Sequence, residues 1–168
     1  MTRVRKLIAT LGLALLSCAV VRAAGPSRGD SASALRGAVN SDELDLAALV
    51  ARVGDDAVVA SLTEGDTVLQ LAAVRAAPFL QDAELALSPL VAIAQGRDPD
   101  VAPAAARSLL AIAQALLLEP HANPEPARGT CRALKQPLLQ LANDADARAD
   151  VRVAAGAAAH LLCTRGHG

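Results

Sequence analysis

A repeated segment constrains the fold of this chain more than any other feature of its sequence. The stretch "GDTVLQLAAVRAAPFL" from Gly65 matches "RDPDVAPAAARSLLAI" from Arg97 at an offset of 32 residues, and "ADVRVAAGAAAHLL" from Ala149 is a third copy. A period of this length is typical of stacked helical units, each of which buries its apolar face against its neighbours. The first two copies align Asp66 with Asp98, Leu69 with Val101, Ala72 and Ala73 with Ala104 and Ala105, Arg75 with Arg107, and Leu80 with Ile112; the third aligns Asp150 with Asp100, Val151 with Val101, and Ala154 and Ala155 with the alanine pair.

Two prolines stand close together at the start of the second copy, in a run otherwise rich in helix formers. Asp98 is suited to cap a helix, and Pro99 then takes the first helical position, where its missing N–H costs nothing. Pro103 falls in or just beyond the first turn, where its penalty is reduced. The stretch is therefore predicted to begin a helix.

The segments that precede these helices repeat as well. "SPLVAIA" from Ser88 matches "QPLLQLA" from Gln136, which aligns Pro89 with Pro137. A proline inside an amphipathic helix bends it. Each unit is thus predicted as a first helix with an internal proline, a short turn, and a second helix that carries the alanine pair.

This pattern resembles the HEAT-like repeat family, in the variety found in phycobilisome lyases, over residues 55–163. The resemblance implies an all-α fold, a short right-handed α-solenoid of about three helical hairpins. The chain departs from the family where a Val-Arg pair is usual, because only Val151 and Arg152 keep it. The resemblance implies a scaffold and does not imply lyase activity.

The repeat domain is predicted to span residues 41–165. Ser41 can cap a first helix, and its apolar stripe, Leu46, Leu49, Val50 and Val53, precedes Gly54, which is placed to end it. Residues 24–40 are rich in glycine, serine and alanine, and they are predicted to form a flexible linker.

Residues 1–23 have the pattern of a bacterial secretory signal, with "MTRVRK" followed by a short apolar run. Cleavage after Ala23 gives a periplasmic or secreted protein. Lipidation at Cys18, in "LLSC", gives a protein anchored to the outer membrane, and an uncleaved membrane anchor is the third alternative. Cleavage removes four of the 16 basic residues and none of the 17 acidic ones, so the net charge falls from -1 to -5.

Charge and composition make two classes of partner improbable. A negative mature chain lacks the accumulated lysine and arginine that phosphate binding needs, which argues against nucleic acid. The chain has no Trp or Tyr and a single Phe, Phe79, so it lacks platforms on which bases or sugars stack.

Two cysteines remain after the predicted cleavage. Cys131 opens the first helix of the last unit and Cys163 closes its second, so an antiparallel hairpin brings them together, and a disulfide is the main prediction. A zinc site is the alternative, in which His160 and His167 join both cysteines. Two free thiols are the remaining alternative.

The sequence holds no recognisable catalytic motif, and it predicts neither an enzyme nor a cofactor. The main hypothesis is a monomeric protein-binding module. Arg75 and Arg107 occupy the same position on successive second helices, and they are predicted to form a basic ridge that grips an acidic partner segment. The alternative is a lipid-anchored structural or assembly component of a bacterial envelope complex.

Overall fold

The structure, a computed structural model, describes residues 27–118 and 125–165. Those residues form helices and the turns between them, without a strand, so the all-α prediction is confirmed for this part of the chain. The helices are α1 Arg28–Gly37, α2 Glu43–Val53, α3 Asp55–Glu64, α4 Thr67–Ala76, α5 Glu84–Ala94, α6 Val101–Leu118, α7 Glu125–Asn143 and α8 Ala149–Arg165, with a short 3-10 turn at Ala77–Phe79 after α4.

The helices from α3 onward pack in two layers. Helix α3 packs against α4, α5 against α6, and α7 against α8, and the helices of each pair are consecutive along the chain. The first helices contact one another in the order α3, α5, α7, and the second helices in the order α4, α6, α8. Helices α1 and α2 pack against α3 and α4.

The alanine pairs of the second helices are buried. Ala72, Ala73, Ala105 and Ala155 are each 0% exposed. Small side chains let helix axes approach closely, at or below the usual 8 to 10 Å. The larger side chains of the core are mostly leucine and valine, including Leu69 and Val101, which are buried at equivalent positions of the repeat.

The helix starts repeat in atomic detail. The Oδ1 of Asp66 accepts from Leu69 N at 2.9 Å, and the Oδ1 of Asp98 accepts from Val101 N at the same distance. Asp98 thus caps this helix as predicted. The prediction that Pro99 takes the first helical position is wrong, because Pro99 lies in a turn and α6 begins at Val101.

The third copy begins its helix differently. The residue equivalent to Asp98 is Arg148, whose carbonyl accepts from Arg152 N at 3.0 Å. An arginine side chain cannot accept the capping bond, and it instead pairs with Asp150 through two contacts of 3.1 Å.

The predicted linker is wrong over part of its length. Residues 28–37 form α1, capped by Ser27, and Leu35 on this helix is fully buried. Two ion pairs fasten α1, from Arg28 to Glu64 of α3 and from Arg36 to Asp66. Tertiary contacts thus order a segment whose composition alone favours a coil.

The boundary of α2 also differs from the prediction. Asp42 rather than Ser41 caps the helix, because the Oδ1 of Asp42 accepts from Asp45 N at 2.9 Å. The predicted apolar stripe is confirmed, since all four of its members are buried, and the helix ends at Gly54 with a φ of 85°.

Three prolines of the repeated segments differ in their position relative to the helices. Pro78 lies in the 3-10 turn that ends α4, so Leu80 is extended whereas its counterpart Ile112 is helical. Pro89 and Pro137 lie inside α5 and α7, as predicted.

Helix α6 is long and apolar enough to cross a membrane by length and composition, with a mean hydropathy of 1.7 over Val101–Leu118. In the fold 61% of this helix is buried, which is the environment of a core helix.

Candidate functional site

A groove of about 650 Å³ opens between α2, α4, α6 and the 3-10 turn. Its two long walls come from the second helices. Positions 71, 75 and 78 on one side and positions 100, 104, 107 and 111 on the other have the spacing that places side chains on one face of a helix. The lining residues are Glu43, Leu46, Leu71, Arg75, Pro78, Phe79, Asp100, Ala104, Arg107, Ser108 and Ala111.

A buried hydrogen bond fixes the two walls against each other. The hydroxyl of Ser108 donates to the carbonyl of Val74 at 2.8 Å, and Ser108 is 7% exposed. The residues adjacent to this pair are Arg107 and Arg75. The contact therefore brings the two predicted arginines to the same groove.

Arg75 makes an interaction that the sequence did not predict. Its guanidinium is half-buried and donates to two backbone carbonyls of the turn between α1 and α2, those of Val39 and Ser41, the second at 2.8 Å. Arg75 therefore holds that turn and is not one half of a solvated basic ridge. Sequence reasoning missed this role because the acceptors are backbone atoms 34 and 36 residues away.

Arg107 differs from Arg75 in its surroundings. It is exposed on α6 and has no hydrogen-bond or ion-pair partner within the described residues. Its charge faces the groove, and its donors remain available.

The acidic residues of the groove stand where helices begin. Glu43 is the first residue of α2, and Asp100 directly precedes the first residue of α6. A carboxylate at a helix N-terminus is stabilised by the positive end of the helix dipole. Both acids thus have a structural reason to be where they are.

The apolar part of the groove includes the only aromatic residue of the chain. Phe79 and Leu71 are half-buried, and Leu46 lies buried behind them. Sequence analysis treated Phe79 only as the lone aromatic. The sequence feature that could have pointed to Phe79 is its position directly after Pro78, a residue that ends a helix.

Cys131 and Cys163 form a disulfide in the structure, with their Cα atoms 4.8 Å apart. Both sulfurs are thereby taken, which removes two of the four ligands of the alternative zinc site. His160 is exposed on α8, and His167 lies outside the described residues. Within residues 27–118 and 125–165, no three His, Cys, Asp or Glu side chains are grouped to hold a metal ion.

Two carboxylates outside the groove have a lowered pKa. A hydrogen bond from Arg36 is the largest cause at Asp66, followed by the backbone N–H of Leu69. At Asp150 the largest cause is the hydrogen bond from Arg148. Lowered values keep these groups ionised at neutral pH, which suits helix termini and does not suit proton transfer.

The predicted signal, with Cys18 and Ala23, lies outside the described residues, as does the segment 119–124. Comparison of the chain with known protein families, with curated proteins and with solved structures gave no match.

Proposed function

We propose that this chain is an exported protein-binding module without catalytic activity, and that a segment of its partner lies in the groove between α2, α4 and α6. The scaffold is proposed to be a short right-handed α-solenoid of the HEAT-like kind, with α3 to α8 as its three hairpin units. The two packed layers and the matching aspartate caps of α4 and α6 support this arrangement.

One observation carries the proposal. Phe79 and Arg107 line the same groove, and neither is buried. Aromatic residues and arginine are enriched at the centres of protein interfaces, where a few side chains supply most of the binding energy. In a chain with a single aromatic residue, its position in a groove beside an unpaired arginine favours binding over a purely structural role.

Affinity capture from the native envelope fraction tests the proposal. The bait is the mature protein, and the test variant is Phe79→Ala with Arg107→Ala. The matched control is Leu139→Ala with Arg132→Ala, which removes an exposed apolar residue and an exposed arginine from α7. Wild type and control are expected to retain the same protein, and the groove variant is expected to lose it.

Equal capture by all three baits would overturn the groove as the binding site. Circular dichroism of each bait establishes that the helices are intact. Mass spectrometry of the mature N-terminus tests export in the same preparation, since cleavage after Ala23 is expected for a freely diffusing binder, whereas a lipid on Cys18 favours the envelope-component alternative.

A further inference from the structure

We infer that two copies of this chain associate through the outer face of α8, at the open end of the layer formed by α4, α6 and α8. The outer face consists of Ala149, Val153, Ala157, His160 and Thr164, whose spacing of three and four residues places them along one side of the helix. None of them lines the groove between α2, α4 and α6, so this inference is independent of the proposed function.

The repeat shows that the corresponding position is covered, wholly or in part, on the two preceding second helices. Val153 of α8 is equivalent to Pro103 of α6 and to Leu71 of α4. Leu71 is half-buried and Pro103 is buried, and α4 and α6 each pack against the second helix that follows. No described helix follows α8, and Val153 is 72% exposed. The outer face of α8 is therefore the side on which the packing of this layer would continue.

The outer face of α8 also lacks charge. It holds no Asp, Glu, Lys or Arg over about 22 Å of helix, at about 1.5 Å per residue, although 20% of the chain is charged. The last unit of a soluble repeat array needs a polar outer face, because it has no neighbour to cover it. Here the polar members, His160 and Thr164, both stand toward the C-terminal end, so the half with Ala149 and Val153 presents only apolar side chains to water. An end of this kind favours association with another surface.

The N-terminal end of the same layer indicates how a second copy covers this face. Helices α1 and α2 pack against α4, the first helix of the layer. A head-to-tail stack places α8 of one copy on α4 of the next, and it has to displace α1 and α2. A tail-to-tail pair joins two α8 helices and displaces nothing. Such a pair is also closed by its two-fold axis, whereas a head-to-tail stack grows into a filament.

The sequence of α8 fits an antiparallel two-fold pair. With the axis between Gly156 and Ala157, each Val153 lies opposite the partner's His160, and each Ala149 lies opposite the partner's Thr164. The smallest side chains then stand at the axis, where they let the two helices approach closely. No like charges meet along this register, because the face holds none.

A pair of single helices forms a small interface, in the class below about 1,200 Å² of total area. The dimer is therefore weak, and it is sought between about 1 µM and about 1 mM protein. It differs from the monomer that the sequence predicted, because the repeat alone does not show which copy is left without a following helix.

Sedimentation equilibrium of the mature protein provides the test, followed by refractive index because the chain has no Trp or Tyr. The first variant is Val153→Lys. The second combines Val153→Lys with His160→Glu, so that in the two-fold register each new lysine lies opposite the new glutamate of the other copy. The control is Leu139→Lys, which makes the same change at an apolar residue of α7 that is 36% exposed. Circular dichroism establishes that all variants retain their helices.

We expect wild type and Leu139→Lys to dimerise alike, and Val153→Lys to bind its copy at least about tenfold more weakly, because an unpaired charge is brought into the interface. The double variant should recover most of the affinity, and its dimer alone should weaken as salt is added. A wild type that stays monomeric at every concentration, an undiminished dimer in Val153→Lys, or no recovery in the double variant would overturn the inference.

Discussion

Arg36 of α1 binds the same carboxylate that caps α4. Its Nη2 lies 2.5 Å from Oδ2 of Asp66, whose Oδ1 accepts the hydrogen bond from Leu69 N. The Asp66 side chain therefore joins α1, the first helix of the described residues, to α4, and its charge state affects both contacts.

The first prediction concerns the pKa of Asp66. Arg36 lowers this pKa from the ordinary value of 3.8, so the folded state favours the ionised form. A carboxyl with a lowered folded pKa contributes stability that is fully present above the unfolded value. That stability is lost as the pH falls from about 4 through the folded pKa. The variant Arg36→Gln should raise the pKa of Asp66 in an NMR titration of its carboxyl carbon.

The same variant has a consequence for acid unfolding. Wild type should be more stable than Arg36→Gln at pH 7, and the difference should vanish at the acid end of the titration. Arg132→Gln, which changes an exposed arginine on α7, serves as the control and should leave the titration of Asp66 unchanged. An unmoved pKa in Arg36→Gln would show that the ion pair does not persist in solution.

The second prediction separates the two arginines of the groove. Arg75→Gln removes charged donors from two carbonyls, and it should lower the free energy of unfolding by about 2 kcal/mol. Arg107→Gln breaks no contact within the described fold, and its effect should remain within about 0.5 kcal/mol. Urea unfolding of both variants measures the difference. Equal effects would contradict the assignment of Arg75 to the turn between α1 and α2.

The third prediction concerns Gly65, between α3 and α4. A Cβ at this position would lie 2.6 Å from the carbonyl oxygen of Ser61 and 3.1 Å from the Cγ of Leu69. The backbone must shift to relieve this overlap, so Gly65→Ala should destabilise the fold by about 1 to 3 kcal/mol.

Gly129 provides the matched control for that substitution. It lies within α7, and a Cβ there meets nothing within 4 Å. Gly129→Ala should stabilise the protein by about 0.5 to 1 kcal/mol, because alanine is the better helix former. Thermal unfolding should therefore move in opposite directions for the two alanine variants, and a shift in the same direction would reject the close contact at Gly65.

The fourth prediction concerns the disulfide. Cys131 and Cys163 are separated by 32 residues, and closing a loop of that length stabilises a fold by about 3 to 4 kcal/mol on the chain-entropy model. The variant Cys131→Ser with Cys163→Ser should melt at a much lower temperature than the oxidised protein. Thiol labelling of protein isolated from its own compartment checks the oxidation state, and two free thiols would contradict the disulfide.

The sequence predicted those parts of the fold that depend on neighbouring residues. The cap at Asp98, the stripe around Leu46 and the alanine pairs all follow from local chemistry or from the repeat. Helix α1 was missed because its order depends on contacts with α3 and α4, which a composition rich in glycine and serine does not report.

The candidate site was predicted only in part, because some of its contacts also join residues that are distant along the chain. The repeat brought attention to Arg75 and Arg107, and both line the groove. The sequence could not separate their tasks, because the carbonyls that engage Arg75 come from a turn that is distant along the chain. Phe79 is absent from the repeat pattern, so periodicity gave no reason to include it.

The disulfide also makes the two ends of the described fold unequal in their resistance to local unfolding. It joins Cys131, the seventh residue of α7 and not its first as predicted, to Cys163 near the end of α8. These two helices and the turn between them thus form a covalent ring, and they cannot separate fully while the disulfide is intact. At the other end, α1 is fastened by Leu35 and by exposed ion pairs, which salt weakens. We therefore expect partial unfolding to begin at the N-terminal end of the described residues, and the amide hydrogens of α7 and α8 to exchange last.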